Sequence, residues 1–583
     1  MNHSYPIYTV STECQDCYKC VRHCPVKAIK VEDGRATVIP ELCVACGRCV
    51  EICPSKAKKV RDDQGRAENL LTQTDPVYVS LAPSWVSEFQ GICAGRMIAA
   101  LKLLGFAEIS ETALGAQAVT AETAKLLRNT EHGAVMSSAC PVTVDYIRRY
   151  LPEFTGAITG LFSPALSHAK MLKDKYGNNI KVVFIGPCIA KKNEADRHPE
   201  LLSMALTFTE LRNWLKNKNI DLYKLEVDEN SRFVPDQADE GAMYPIEGGM
   251  IRTLEIEPEL ENVHFAALTG LENIGQALRG LRPQDVKETV FIECLACYGG
   301  CVHGPCTQHA SPGLLERLRI VKGCKIPEKI PVRALPVKID DTINEERVEE
   351  EFISLQAVKQ ALRSIGKMNA DDELNCGGCG YDTCQNFARA LIMKKGEPSM
   401  CVSYLRKQAQ KKANALLRCI PSGVVIADKN LNVIECNRRF AELFGETTLL
   451  AFDARPGLAG ADLKRLVPFA GLFENSLATG RDIKRDSYRL DNRLFNITIF
   501  SIEATEVVGA VIADVTSAEL KREQIAKRAR DVIDKNLATV QDIACKLGEH
   551  MAETEILLRS IANDYADDKL LDDMKKEKMT GEA

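Results

Sequence analysis

Two four-cysteine runs of identical spacing open this chain and restrict what its first residues can become. Cys14, Cys17, Cys20 and Cys24 form Cys-x-x-Cys-x-x-Cys-x-x-x-Cys-Pro, ending at Pro25, and Cys43, Cys46, Cys49 and Cys53 repeat it with Pro54. Two-residue spacers let three thiolates converge on one iron–sulfur cube from a single tight loop. The fourth stands on the following turn, and proline ends the loop without needing a backbone donor. A pair of zinc sites is the alternative, but it would want ligand pairs separated by a longer span. The chain has 23 cysteines, an odd number that cannot pair completely. Met1 to Val10 lacks the basic start and apolar stretch of an export signal. The expected compartment is therefore the cytoplasm, where structural disulfides are disfavoured and metal is the default use of thiols.

Residues 5–60 resemble a bacterial-type ferredoxin domain, which carries electrons rather than catalysing. In two-cluster ferredoxins the fourth cysteine of each run ligates the other cluster. The resemblance implies one cluster on Cys14, Cys17, Cys20 and Cys53, and a second on Cys43, Cys46, Cys49 and Cys24. A further group, Cys376, Cys379, Cys384 and Cys401, contains Cys-Gly-Gly-Cys-Gly-Tyr-Asp-Thr-Cys. Glycines 377, 378 and 380 let backbone wrap closely around a cluster. Asp382 and Thr383 are placed to cap a helix beginning near Cys384. This run resembles the small iron–sulfur module of multi-cluster redox proteins, with a structural zinc as its alternative.

At 583 residues the chain exceeds one hydrophobic core, so three to five domains are expected. Hydrophobic residues at 45% and charged residues at 27% exclude a mostly disordered chain. No apolar run approaches the ~18 residues of a membrane span. A net charge of −5 gives no electrostatic footprint for nucleic acid or anionic lipid.

Between residues 75 and 325 the cysteines are sparse and do not fall in ligand runs. Three segments stand out: Ser137-Ser138-Ala139-Cys140-Pro141, Ile185 to Asp196 around Cys188, and Glu293 to Pro305 around Cys297 and Cys301. They follow strand-like stretches at Gly133 to Met136, Ile180 to Ile185 and Val290 to Ile292. Open α/β sheets place their sites at such strand ends.

These three segments resemble, in order, the signature loops of the iron-only (FeFe) hydrogenases. Leu81-Ala82-Pro83-Ser84 is similar to that family's entry strand and Glu111 to Ala116 to its next turn. The resemblance covers roughly residues 75–325. It implies that Cys140, Cys188, Cys297 and Cys301 hold the 4Fe–4S cube of the H-cluster. Cys301 would also bridge to a two-iron subsite carrying CO, cyanide and a dithiolate with a bridgehead amine. Lys191 would donate a charge-assisted hydrogen bond to a cyanide, although a solvated lysine is the alternative, and Glu194 would order that loop beside it.

Several positions depart from the family. Ala139 stands where fast enzymes carry a second cysteine that relays protons, and a methyl group has no exchangeable proton. Glu122 matches one relay acid, but Lys125 stands where a second is expected. Gly186 replaces a methionine beside the two-iron subsite, Pro305-Cys306 replaces a glycine-rich continuation, and Glu247 to Met250 departs from a small-residue run. An alternative proton route through Cys294 or Cys306 stays open. Slow turnover is the expected consequence, and the pattern resembles a divergent subgroup associated with sensing hydrogen. Cys93, Cys324, Cys419, Cys436 and Cys545 stand alone and read as packing or surface. His303 could tune a cluster or make a local backbone bond.

Downstream, a Pro-rich stretch (Ile326 to Lys338) and an acidic helix (Glu345 to Ala361) read as a connector. From residue 412 the order is a strand at Gly423 to Asp428, a turn, and a strand at Val433 to Cys436. A helix over Arg438 to Gly445 follows, then strands at Phe495 to Ser501 and Val507 to Asp514. This order resembles a PAS (Per-Arnt-Sim) sensory domain, expected to be empty or to hold a small ligand. No haem ligand is evident, because the one histidine after residue 309 is His550. From Ser517 to Ile561 a polar helix carries Ile533, Leu537, Val540, Ala544, Leu547, Met551, Leu558 and Ile561 on one stripe, interrupted by Thr554. That spacing predicts a coiled coil or a helix docked on a partner. Asp564 to Ala583 reads as a charged, frayed tail.

The expected fold is multidomain α/β. A two-cluster ferredoxin domain (1–62) precedes a hydrogenase-type α/β domain (75–325) and a linker with a helix (326–362). A 4Fe–4S module (363–410), a PAS α+β domain (411–516) and a signalling helix (517–583) complete the plan. The expected cofactors are three 4Fe–4S clusters and the H-cluster. The expected partners are ferredoxin or another redox protein, dihydrogen and protons, a downstream signalling protein, and a second copy through the PAS domain and helix. The favoured function is a slow hydrogenase acting as a hydrogen or redox sensor. A working ferredoxin-linked hydrogenase, and a non-enzymatic cluster-assembly protein, are the alternatives.

Overall fold

The computed structural model describes residues 5–228, 231–256, 258–308, 312–328, 337–349 and 351–577. Its contacts divide the chain into two units, Met1–Arg406 and Lys407–Ala583.

The first unit begins with two antiparallel ribbons, β1 (Ile7–Thr9) with β4 (Lys58–Val60) and β2 (Ile29–Glu32) with β3 (Arg35–Val38). Between them lie two four-residue helices, Lys19–Arg22 and Arg48–Glu51, each carrying the third cysteine of its run. Cys20, Cys24, Cys43 and Cys49 are buried with Val21, Ile29 and Val44 in a core that continues to Met136, Cys140 and Ile292. Asp16, Tyr18 and Ala45 adopt positive φ within the cysteine loops, strain that persists only where the surroundings over-determine the backbone.

Seven parallel strands follow: β5 (Val77–Leu81), β6 (Glu108–Glu111), β7 (Gly133–Met136), β8 (Lys181–Gly186), β9 (Met204–Thr207), β10 (His264–Thr269) and β11 (Thr289–Leu295). They form two sheets, ordered β6-β5-β8-β9 and β10-β11-β7. Their near-continuous apolar runs are those of strands buried on both faces. β7 falls where its sequence suggested. β8 is shifted by one residue, and β11 extends beyond Val290 to Ile292 at both ends. The expected entry strand is corrected: Leu81 ends β5, the Ala82 N–H still donates to the Ile185 carbonyl of β8 at 2.9 Å, and the chain turns away at Pro83, which has no N–H for a ladder. β7, β8 and β11 thus deliver the three cysteine loops from their carboxyl ends.

The connector also departs from expectation. Its helix begins at Leu355 and runs to Ser364, with the Ser354 hydroxyl accepting the Ala357 N–H at 3.2 Å. The acidic residues before it are an extended strap instead. Glu346 pairs with Arg148 and Arg149, and the N–H groups of Glu346 and Val348 donate to the carbonyls of those two arginines. Of the Pro-rich stretch, residues 329–336 lie outside the described residues. In the third cysteine group Thr383, not Asp382, caps the helix Cys384–Ile392.

The second unit is a five-stranded antiparallel sheet ordered β13-β12-β16-β15-β14. Its strands are β12 (Gly423–Asp428), β13 (Val433–Cys436), β14 (Ile483–Leu490), β15 (Arg493–Glu503) and β16 (Val507–Asp514). Phe440, Phe473, Phe495 and Ile499 fill its core. β14 was not foreseen, because Lys484, Arg485, Asp486 and Arg489 make it a polar edge strand. One helix of 62 residues then runs from Thr516 to Glu577. The expected frayed tail is therefore helical as far as Glu577, a segment free of proline and glycine; residues 578–583 lie outside the described residues. The stripe residues Ile533, Leu537, Val540, Leu547, Met551, Leu558 and Ile561 are 51–67% exposed. Among the described residues no helix is long and apolar enough to cross a membrane.

Candidate active site

Cys140 precedes the helix Pro141–Tyr150, whose first residue is a proline with no N–H to leave unpaired. Cys188 follows β8 and leads into the helix Ala190–Arg197. Cys297 and Cys301 follow β11 on a turn through Gly299 and Gly300, at φ +73° and +106°. Any side chain at Gly300 would strike the Pro245 carbonyl oxygen, so the loop carrying Cys301 is held against backbone. Three of these thiols are raised by burial and by their cysteine neighbours. Burial, then Cys140 and Cys188, raises the Cys301 thiol, and burial, then Cys301, Cys188 and Cys140, raises that of Cys297. Burial followed by Cys140 pushes Cys188 up to about 11.

A cavity of about 90 Å³ opens beside them, with Ala82, Ser84, Ala139, Lys191, Glu293 and Cys301 among its walls. Lys191 is buried rather than solvated. Its Nζ donates to Ser163 Oγ at 2.7 Å and to Glu194 Oε2 at 2.6 Å. Two polar atoms in this wall are buried and unpartnered: Ser84 Oγ and Glu293 Oε2, on residues 1% and 2% exposed. The sequence reading missed both. The Glu293 carboxyl, pushed up to about 7 by burial, accepts the Met250 N–H on its other oxygen at 3.3 Å. Four soft thiol donors beside an apolar cavity with orphaned polar atoms fit an iron–sulfur group bearing small polar ligands.

The departures from the family have physical counterparts. A Cβ at Gly186 would stand 2.5 Å from the Phe184 ring and 2.9 Å from Ala82, so that aromatic ring occupies the space of the missing side chain. Ala139 presents its methyl group to the cavity. Further out, Lys125 Nζ binds Glu122 at 2.6 Å. Neither Cys294 nor Cys306 is among the cavity walls. Cys294 is buried within β11, and Cys306 lies towards Glu210 and Lys192. His303 donates from Nδ1 to the Tyr298 carbonyl at 2.9 Å, the local backbone bond.

The other cysteines gather in three places. Besides burial and the opposing Lys58 charge, Cys14, Cys17 and Cys53 act on Cys20. After burial, Cys46, Cys43 and Cys24 act on Cys49. Cys46 also acts on Cys297. A Cβ at Gly47 would stand 2.5 Å from Pro305, so the second ferredoxin loop lies against the third active-site loop. In the third group Cys379 senses Cys401 and Cys376, while Cys384 begins its helix with its N–H bound by Asn375 Oδ1. Arg22 joins this group to the first ferredoxin loop, donating to the carbonyls of Gly378 (3.3 Å) and Cys17 (2.9 Å). Among the described residues no trio of His, Cys, Asp or Glu is placed to hold a single metal ion.

Beside Lys191 lies a second unforeseen feature. Lys192 is fully buried and donates to Asp63 Oδ2 (2.9 Å), Glu210 Oε1 (2.9 Å) and the Ala205 carbonyl (3.1 Å). Asp63 stays below the usual carboxylate range despite its burial, because Lys192, Arg61 and Arg66 surround it. Arg61 in turn bridges Asp63 and Asp196. The exit from the ferredoxin part is thereby tied to the loop that carries Lys191.

The comparisons agree with this geometry. Residues 75–305 match the family model of the iron-only hydrogenase large subunit, C-terminal domain. The central region is similar to an iron-only hydrogenase domain. Around it, residues 6–54 match a 4Fe-4S dicluster domain, residues 372–403 an Fe-S cluster model and residues 412–481 a PAS domain. Iron hydrogenase 1 of Clostridium pasteurianum is 26% identical over 275 residues, covering 39% of this chain and 48% of that protein. The chain thus spans about half the length of that relative. The periplasmic Fe hydrogenase large subunit of Nitratidesulfovibrio vulgaris is 29% identical over 367 residues, covering 52% of this chain and 87% of that protein. A variant of the FeFe hydrogenase HydA1 from Chlamydomonas reinhardtii superposes with a TM-score of 0.39 at 20% identity, over 47% of this chain and 91% of its own. The chain is a hydrogenase-like iron–sulfur protein with a PAS domain.

Proposed function

We propose that this protein is a slow hydrogenase that senses hydrogen or redox state and signals through its PAS domain and long helix. The observation that carries the reading is the cavity walled by Cys140, Cys188, Cys301 and Lys191, where Ala139 offers only a methyl group. When bound, the H-cluster supplies an open iron and an amine base for heterolytic cleavage of dihydrogen. Cys140, Cys188, Cys297 and Cys301 would hold its cube, with Cys301 shared with the two-iron subsite. Lys191, oriented by Glu194 and Ser163, would be the residue to hold a cyanide there. Phe184 and Ala82 exclude water from the same wall. Ala139 can neither accept nor pass a proton, and further out Glu122 is held by Lys125 at 2.6 Å.

Electrons have a short way out, since Cys297 and Cys46 adjoin, and three 4Fe–4S clusters would carry them onward. Their expected destination is ferredoxin or another redox protein. The exposed stripe of the long helix, with the PAS domain, would bring two copies together and engage a downstream signalling protein in the cytoplasm. The domain plan 1–62, 75–325, 326–362, 363–410, 411–516 and 517–583 belongs to this reading. A ferredoxin-linked metabolic hydrogenase shares the same parts and differs in rate. The assembly-protein reading leaves the Lys191–Glu194 pair and the orphaned Ser84 and Glu293 atoms without a purpose.

Infrared spectroscopy of anaerobically matured protein tests the proposal. Bands for bound CO and cyanide are expected, and their absence would leave the assembly reading. Native hydrogen oxidation should be slow. Ala139→Cys should raise it by less than the ~10²–10⁴-fold that a positioned proton carrier contributes, because Lys125 still occupies the outer relay. A hydrogen-oxidation assay checks this, and native turnover at the level of dedicated hydrogenases would end the sensing reading.

A further inference from the structure

Among the described residues four lysines are buried: Lys58, Lys191, Lys192 and Lys367. A buried ammonium group is retained only when an opposite charge or a full set of hydrogen bonds compensates it. Lys191 has Glu194, and Lys192 has Asp63 and Glu210. Lys58 and Lys367 have no carboxylate within ion-pair reach among the described residues. Lys58 Nζ donates to Thr9 Oγ1 (2.6 Å) and the Ala36 carbonyl (2.5 Å). Lys367, 5% exposed, donates to the Asp372 carbonyl (2.7 Å) and Ser403 Oγ (3.3 Å).

Both unpaired lysines stand beside cysteine groups. The charge of Lys58 reaches Cys20 in one ferredoxin group and Cys49 in the other. Lys367 is one hydroxyl away from the third group, since Ser403 Oγ lies 3.3 Å from Cys401 Sγ. We propose that Lys58 and Lys367 are built-in counter-charges of the iron–sulfur clusters, with Lys58 set between the two ferredoxin clusters and Lys367 set against the third. The proposal rests on the assignment of clusters to these cysteines.

A 4Fe–4S cluster with four thiolates is an anion, and reduction adds one more negative charge. A fixed positive charge within a few ångströms in a low-dielectric interior favours the reduced form. Lys367 therefore holds an electron at the third group. The helix Val402–Cys419 begins at the residue after Cys401, so the charge that accumulates there lies at the head of that helix.

The test is an EPR-monitored redox titration of the full chain reconstituted with iron and sulfide, together with an iron count. In Lys367→Met, one cluster should keep its iron, and its reduced-to-oxidised ratio at a fixed potential should fall about tenfold, equivalent to ~59 mV for one electron. Lys367→Arg should stay within about twofold of wild type. In Lys58→Met, two other clusters should shift the same way. An unshifted, fully loaded cluster in Lys367→Met overturns the role of Lys367. If that variant sheds its cluster, Ser403→Ala decides: a lowered midpoint supports the proposal and an unchanged one overturns it. Wild-type protein that binds no cluster at Cys376, Cys379, Cys384 and Cys401 overturns the cluster assignment itself, and the Lys367 inference with it.

Discussion

Lys192→Met should destabilise the first unit by about 3–5 kcal/mol, the cost of leaving a buried ion pair with one partner. Lys192 reaches two carboxylates and a carbonyl, and all of these lie out of water. Without the ammonium group Asp63 keeps Arg61 and Arg66, but Glu210 keeps only the Asp63 N–H and its own helix cap at Thr207. Methionine fills the volume of the lysine stem, so the loss isolates charge from packing. A cluster-bearing multidomain chain does not unfold in two states. The measurement is therefore amide exchange at β9 and at residues 61–71, which should accelerate together. Adding Asp63→Asn and Glu210→Gln should recover part of the loss, because an uncompensated charge costs more than none. The same network sets an acid limit. Asp63 lies below its ordinary value, so its contribution is present above about pH 4 and is lost as pH falls further. Unchanged exchange in Lys192→Met would mean that the tie between the ferredoxin exit and the Lys191 loop carries no energy.

What was legible in the sequence was local. Three cysteines at two-residue spacing need no partner segment to be recognised, and the three hydrogenase-like loops were found because each follows a short apolar run. β12, β13 and β16 were visible for the same reason, as apolar stretches bounded by turn residues. β14 was hidden by its charges, since an edge strand with one solvated face looks like a loop. The acidic strap was mistaken for a helix because Glu346 is fixed by Arg148 and Arg149, nearly two hundred residues away. Ser84, Glu293, Lys58, Lys192 and Lys367 were passed over because nothing in their neighbours shows that they are buried. Burial of a polar side chain is a property of the assembled core, and it becomes informative only when its partners can be counted.

Cys301→Ala should abolish the infrared bands of bound CO and cyanide and hydrogen oxidation with them, while leaving the ferredoxin-type cluster signals in place. Cys140, Cys188 and Cys301 all line the cavity, but under the proposed assignment Cys301 is the thiol shared with the two-iron subsite, so its loss should not be made good by the other two. A sharper version leaves every cysteine untouched. Gly300 holds φ at +106°, and a Cβ there would strike the Pro245 carbonyl oxygen and lie 2.8 Å from Ile246 Cα. Backbone cannot yield as a flexible side chain can, and the left-handed conformation adds about 1–3 kcal/mol of strain for alanine. The turn must therefore move, and Cys301 is its next residue. A misplacement of about 1 Å is enough to cost 10²-fold at a reacting centre. Gly300→Ala should thus lower hydrogen oxidation by about 100-fold or more, with weakened infrared bands and unchanged ferredoxin-type signals. Gly133→Ala, at an equally positive φ of +110° but with open space around its Cβ, carries the conformational strain without the collision and should retain the bands. If both glycine variants kept full activity, the cysteine turn after β11 would not be what positions the site.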